Sequence, residues 1–235
     1  MRGECVNRVK RISVGLGVPL VVGAILTGGN VSAAATPVSL ARVSMALTGL
    51  TSYQVDYTAQ STQKPPSFQK DIYVVVRHGG LRIDWLTSMH PSGAGDNTVI
   101  EEVISGSRAC ERYPVTAPFS CAVSRSLAAS ITAAVDPART FSGKGVSVQF
   151  HSTVAKKVAG VTCAGYAFVL HTPTEHGSGV LYLAPKSNLP CEEDARVVGP
   201  AIGPAAAGAT EKLITTWTWH RFNDPKLNIP AVPAS

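Results

Sequence analysis

The sequence predicts a mainly β, antiparallel domain carrying two to three helices. Three observations predict it. Apolar residues alternate with polar ones in one segment after another, tight turn signals separate those segments, and only two stretches show helical spacing. Strands joined by short turns pair antiparallel, because parallel pairs require long crossovers.

The elements follow in order. Thr36-Pro37 is a helix start signal, and residues 39–50 place Leu40, Val43, Leu47 and Leu50 on one helical face, with Gly49 weakening the end. The period then changes: Tyr53, Val55 and Tyr57 alternate with Gln54, Asp56 and Thr58. Beyond a Pro-Pro loop near Lys64, Ile72, Val74 and Val76 form a second apolar row. Tyr73 and Val75 make that strand apolar on both faces. His78-Gly79-Gly80 turns it into Leu81, Ile83 and Trp85, which alternate with Arg82 and Asp84 as a β-hairpin requires. A Pro/Gly/Ser-rich loop at 88–96 precedes a strand at 98–104. Residues 124–135 form the second helix through Leu127, Ile131 and Val135, and Asp136-Pro137 ends it. Strands are expected at 146–152, 157–161, 163–171 and 179–183. A Gly/Pro/Ala-rich loop at 197–209 follows, and a last strand at 212–222 carries Leu213, Trp217 and Trp219. The total is eight to eleven strands.

The first thirty-odd residues read as a secretory signal. Arg2, Arg8, Lys10 and Arg11 form a cationic start, an apolar run of about fifteen residues follows, and Val31-Ser32-Ala33 suits a signal peptidase. Residues 1–33 are therefore expected to be a leader and 34–235 one domain, secreted or held in the cell envelope. The alternative is an uncleaved anchor. Cys5 lies in the cationic start, so no lipobox cysteine follows the apolar run. The four leader bases against Glu4 account for half of the formal charge of +6. With no basic cluster beyond Lys156-Lys157, nucleic acid is not an expected partner. Hydrophobic residues at 45% against 15% charged allow a buried core.

Without Cys5 the exported part holds Cys110, Cys121, Cys163 and Cys191, an even count that reads as two disulfides. Of the three pairings, Cys110–Cys121 and Cys163–Cys191 each close a short ring around an expected hairpin or loop. Structural zinc is disfavoured because no C-x-x-C spacing occurs.

Catalytic motifs are sparse. His171-Thr-Pro-Thr-Glu175-His176 has one residue more than the H-x-x-E-H zinc motif, and Pro173 breaks the helix that would align its ligands. It reads as a polar loop between strands. Glu192-Glu193-Asp194 reads as a solvated acidic turn. Ser105, Ser107 and His151 show no triad spacing, and no phosphate-binding or dinucleotide motif occurs.

Three segments resemble the periplasmic lipoprotein carriers of the LolA-like superfamily, which includes mycobacterial lipid-carrying lipoproteins and related envelope sensors. They are the helix-to-strand opening LTGLTSYQVDYTAQ, the hairpin DIYVVVRHGGLRIDW and the closing run WTWHRFNDPKLNIPAVP. The resemblance implies a half-open antiparallel β-barrel closed by helices, with an apolar cavity for acyl chains and no cofactor. Its inner wall maps onto Tyr53, Val55, Tyr57, Ile72, Val74, Val76, Leu81, Ile83 and Trp85. The implied function is non-enzymatic carriage of a lipid or lipidated protein, with an envelope lipoprotein or membrane protein as a further partner. An envelope sensor is the alternative, and a hydrolase with a scattered triad is the third reading.

Overall fold

The computed structural model describes residues 38–77, 80–90, 98–142, 145–171, 176–200 and 210–233. The proposed leader lies outside them.

Helix α1 (Leu40–Thr48) leads into five strands: β1 (Ser52–Ser61), β2 (Phe68–Val76), β3 (Arg82–His90), β4 (Thr98–Ser105) and β5 (Arg108–Arg112). After β6 (Ser120–Val123) come α2 (Arg125–Ala134) and α3 (Pro137–Phe141). Strands β7 (Ser147–Val158), β8 (Val161–His171), β9 (His176–Leu183), β10 (Pro190–Pro200) and β11 (Thr210–His220) complete the chain. All eleven pair into one antiparallel sheet in the order β6-β5-β4-β3-β2-β1-β11-β10-β9-β8-β7. The sheet is open, with β6 and β7 at its edges. Among the described residues the fold is mainly β with three helices, as the alternation and hairpin spacing indicate.

The helices pack on one face of the sheet, called here the inner face. Leu47 from α1 and Ala128 and Ile131 from α2 join Tyr53, Val55, Tyr73, Val75, Ile83, Trp85, Ile104 and Trp219 in the larger core. Val43 and Phe141 join Phe168, Leu170, Leu181 and Leu183 in a second core over β8 and β9. The Trp219 indole N–H donates to the Val135 carbonyl at 3.1 Å, tying the sheet to the end of α2. Ser44 donates to Asp136 at 2.7 Å, joining α1 to the α2–α3 corner. Asp136-Pro137 does more than end α2: the Asp136 carboxylate accepts from Ala138 N at 3.0 Å, and Pro137 opens α3.

Several sequence expectations need correction. β2 is apolar on both faces, and the pairing of Val55 with Tyr73 and of Ile83 with Val75 turns Tyr73 and Val75 inward. Ile72, Val74 and Val76 therefore lie on the outer face with Asp56, Gln54 and Ser52. The expected strand at 157–161 is instead a hairpin turn. β7 ends at Val158, and Ala159 and Gly160 turn the chain at φ 46° and 87°. Residues 197–200 extend β10 rather than starting a loop, while 201–209 lie outside the described residues. Glu192, Glu193 and Asp194 are not a turn but the middle of β10. Alternation there buries Glu193 on the inner face and puts Glu192 and Asp194 on the outer face. On the outer face Lys156 pairs with both, and Thr216 donates to Asp194 at 3.0 Å. His171 and His176 pair in register at the ends of β8 and β9, and 172–175 lie outside the described residues.

The disulfides are Cys110–Cys121, bridging directly opposed residues of β5 and β6, and Cys163–Cys191, joining β8 to the start of β10. The C-terminal tail straps the outer face. Asn223 accepts from Thr51 N at 2.8 Å, Asp224 O accepts from Ser52 at 3.0 Å, and Pro230 O accepts from Arg82 at 3.1 Å. Leu227 and Ile229 are buried under this strap.

Candidate functional site

The inner face holds an aromatic belt built across four strands. Cross-strand pairing sets Tyr57 opposite Trp217, Tyr73 opposite Trp85, and Val55 between Tyr73 and Trp219. The Tyr57 and Trp217 ring centroids are 4.3 Å apart. Tyr73 stacks with Trp85 at 5.8 Å and with Trp217 at 5.9 Å, and Trp217 with Trp219 at 6.2 Å. The three stacked separations fall in the range in which aromatic pairs attract beyond simple area burial, and the tilted Tyr57–Trp217 pair is closer still. All three tryptophans of the chain stand in this belt.

The helices cover the belt only in part. Trp219, Tyr73 and Trp85 are buried, whereas Tyr57 and Trp217 remain half-buried. Toward the strand ends farthest from α1, Tyr57 also packs against a third apolar cluster of Ala59, Met89 and Leu213, bordered by Ile100 and Val197. No helical side chain belongs to that cluster. At its edge lies a cleft of about 440 Å³, lined by Thr62, Arg196, Val197, Val198, Lys212, Leu213 and Ile214. That volume lies in the roughly 300–1,000 Å³ range of small-molecule sites.

Buried carboxyls flank the belt. Asp71 and Glu193 share the cross-strand row of Tyr57 and Trp217. Asp71 accepts from Gln69 at 2.9 Å and from the Tyr73 hydroxyl at 3.0 Å. Burial still pushes its carboxyl above the usual range. Glu193 is pushed up to about 8, first by burial and then by neighbouring Asp194. Glu102, opposite Trp85, is pushed up to about 7 by burial and by Glu111, which faces it across β5. Burial, aided by the charges of Asp71 and Glu193, raises the Tyr57 hydroxyl above its ordinary value. The inner face therefore has neutral protonated acids accessible near pH 7. Among the described residues no cluster of His, Cys, Asp or Glu could hold a metal ion, and no helix is long and apolar enough to cross a membrane.

The structure brings together six of the nine residues expected to line the inner wall. Tyr53, Val55, Tyr57, Ile83 and Trp85 face inward, and Leu81, just before β3, packs half-buried against the same core. Ile72, Val74 and Val76 do not join them. Tyr73, Trp217 and Trp219 complete the belt in their place. Their signal was present in the double-sided β2 pattern and in the Leu213/Trp217/Trp219 alternation, but only pairing with β1 and β3 turns Tyr73 inward, and Trp217 and Trp219 lie opposite β1, a strand remote in sequence.

No family model and no curated protein matches the chain. Among solved structures it is similar to LprF from Mycobacterium bovis, at 13% identity over 82% of this chain and 95% of that one, with a TM-score of 0.49. It is similar to MucB in complex with MucA(peri), at 18% identity over 83% of this chain and a TM-score of 0.37, spanning only 56% of MucB. It is also similar to the LolA superfamily protein NE2245 from Nitrosomonas europaea, at 8% identity over 83% of this chain and 93% of that one, with a TM-score of 0.27.

Proposed function

We propose that the protein is a non-enzymatic binding module that holds an acyl chain, of a lipid or a lipidated protein, on the helix-free part of its inner face. The observation that carries this reading is a buried apolar cluster of Ala59, Met89 and Leu213 that no helical side chain joins and that links the half-buried Tyr57–Trp217 pair to the cleft beside Val197. Apolar lining with a few polar groups at its margin is the usual composition of a small-molecule site. Burying an acyl chain there contributes roughly 25 cal/mol for each Å² of apolar area removed from water. The raised carboxyl of Glu193 fits the same reading, since a protonated acid beside an acyl chain leaves no buried charge.

Because every tryptophan lies in the belt, the protein carries its own reporter. A fatty acid brominated along its chain should quench tryptophan emission on titration, whereas the unbrominated acid should not. Leu213→Asp, which puts a charge on the apolar floor, should weaken that binding more than tenfold. Absence of quenching, together with native mass spectra of protein from expressing cells that show only the bare chain, would overturn the reading. Retention of a membrane protein without lipid would favour the sensor instead.

A further inference from the structure

We infer that the outer face of β2, β1, β11 and β10 at the cleft end is a docking surface for an anionic lipid bilayer. Cross-strand register places His90, Phe68, Gln60, Ile214 and Arg196 in one row on that face. Phe68 is 43% exposed and Ile214 is 47% exposed, two of the largest apolar side chains that the described surface leaves open to water. Cations bracket them. Arg196 stands directly opposite Ile214, Lys212 is opposite Val198 in the next row, and Lys70 lies two residues along β2 from Phe68. All three are exposed, and none is in a salt bridge among the described residues. Of the carboxylates on this face, Asp194 at the patch border is occupied by Lys156 and Thr216, and Asp56, within reach of the Lys70 charge, by His220 and Gln54.

The rest of the molecule sharpens the contrast. The other end of the same face is strapped by the C-terminal tail from Ser52 to Arg82, with Leu227 and Ile229 buried there. At the cleft end Thr62, Gln60, Lys70 and Lys212 are all exposed. Exposed apolar side chains ringed by cations that form no salt bridge among the described residues match the chemistry of a bilayer surface: the apolar groups enter the boundary between headgroups and chains, and the cations meet anionic headgroups. A second copy of this chain would set cation against cation across such a patch, which disfavours self-pairing. The cleft adjoins the patch, so Arg196 and Lys212 border both the docking surface and the Val197–Leu213 end of the inner floor. The inference rests on the outer face and is independent of what the inner face binds.

The test is cosedimentation of the full chain with vesicles of phosphatidylcholine alone and of phosphatidylcholine with one quarter phosphatidylglycerol, for wild type and for three double variants. Arg196→Gln with Lys212→Gln should lower partitioning onto the anionic vesicles about twenty-five-fold relative to wild type and leave the neutral vesicles little changed, since each cation near such a surface contributes about fivefold. Phe68→Ser with Ile214→Ser should lower partitioning on both. These side chains are exposed, so thermal unfolding of the variants should match wild type. Equal partitioning of wild type and all three variants would overturn the inference. So would a lipid-free dimer in sedimentation that the Phe68→Ser, Ile214→Ser pair abolishes. The third variant, Phe68→Ser with Lys70→Gln, touches no residue of the cleft lining; it should lower partitioning onto the anionic vesicles and leave quenching by brominated acyl chains unchanged, which separates failure of this inference from failure of the inner-face reading.

Discussion

Glu193 makes a sharp test of how this sheet treats charge. It stands on the inner face between Leu181 and Trp217, 8% exposed, with no hydrogen bond or ion pair among the described residues. Burial raises its carboxyl from 4.5 to about 8. The unfolded chain releases that proton near 4.5, while the folded protein keeps it to about 8. The contribution of Glu193 to stability is therefore fully present below pH 4.5 and is lost progressively as pH rises toward 8. At about 1.4 kcal/mol per pH unit over the window in which the two states differ, the loss from pH 5 to pH 7.5 is roughly 3 kcal/mol. That is a large part of the roughly 5–15 kcal/mol by which domains are stable. Glu193→Gln keeps the shape of the protonated acid without its titration. Urea unfolding at pH 5 should find variant and wild type within about 1 kcal/mol of each other. At pH 7.5 the variant should be more stable by roughly 3 kcal/mol. Glu102 and Asp84, both raised to about 7, titrate in both proteins and cancel in the difference. Parallel loss of stability by the two proteins between pH 5 and 7.5 would refute the burial argument.

Two further outcomes follow from the packing. A methyl at Gly179 would meet the Asp194 carbonyl at 2.3 Å and the tip of the Phe168 ring at 2.8 Å, so Gly179→Ala should destabilise by about 1–3 kcal/mol in thermal or urea unfolding. Replacing Cys163 and Cys191 together by Ala should reduce stability by about 2–4 kcal/mol, and peptide mapping under non-reducing conditions should recover Cys163 linked to Cys191 in wild type.

Local pattern carried much of this fold. A strand with one apolar face announces its own orientation, and the alternation of Tyr53/Val55/Tyr57 and Ile83/Trp85 does so. The short-ring argument for the cysteines also matches the bridges formed, because both pairs end up on strands that the chain brings together within a few tens of residues. The acidic triplet of β10 misled because consecutive carboxylates usually sit in water. Here strand alternation sends the middle one inward and the outer two to Lys156.

What the sequence determined by itself was α1, α2, the strands β1 to β4, β7 to β9 and β11, but not β5, β6, β10 or α3, and the faces of strands that are apolar on one side only. Such a strand has one way to bury its apolar row, and a slip by one residue would expose it. The tertiary structure alone decided the rest. β2 is apolar on both faces, so only its pairing with β1 and β3 could turn Tyr73 and Val75 inward and leave Ile72, Val74 and Val76 outside. The closing of β11 against β1 likewise set Trp217 over Tyr57 and carried Ile214 and Arg196 beside Phe68. These contacts join residues far apart in the chain, and no local period encodes which strand a distant strand will meet.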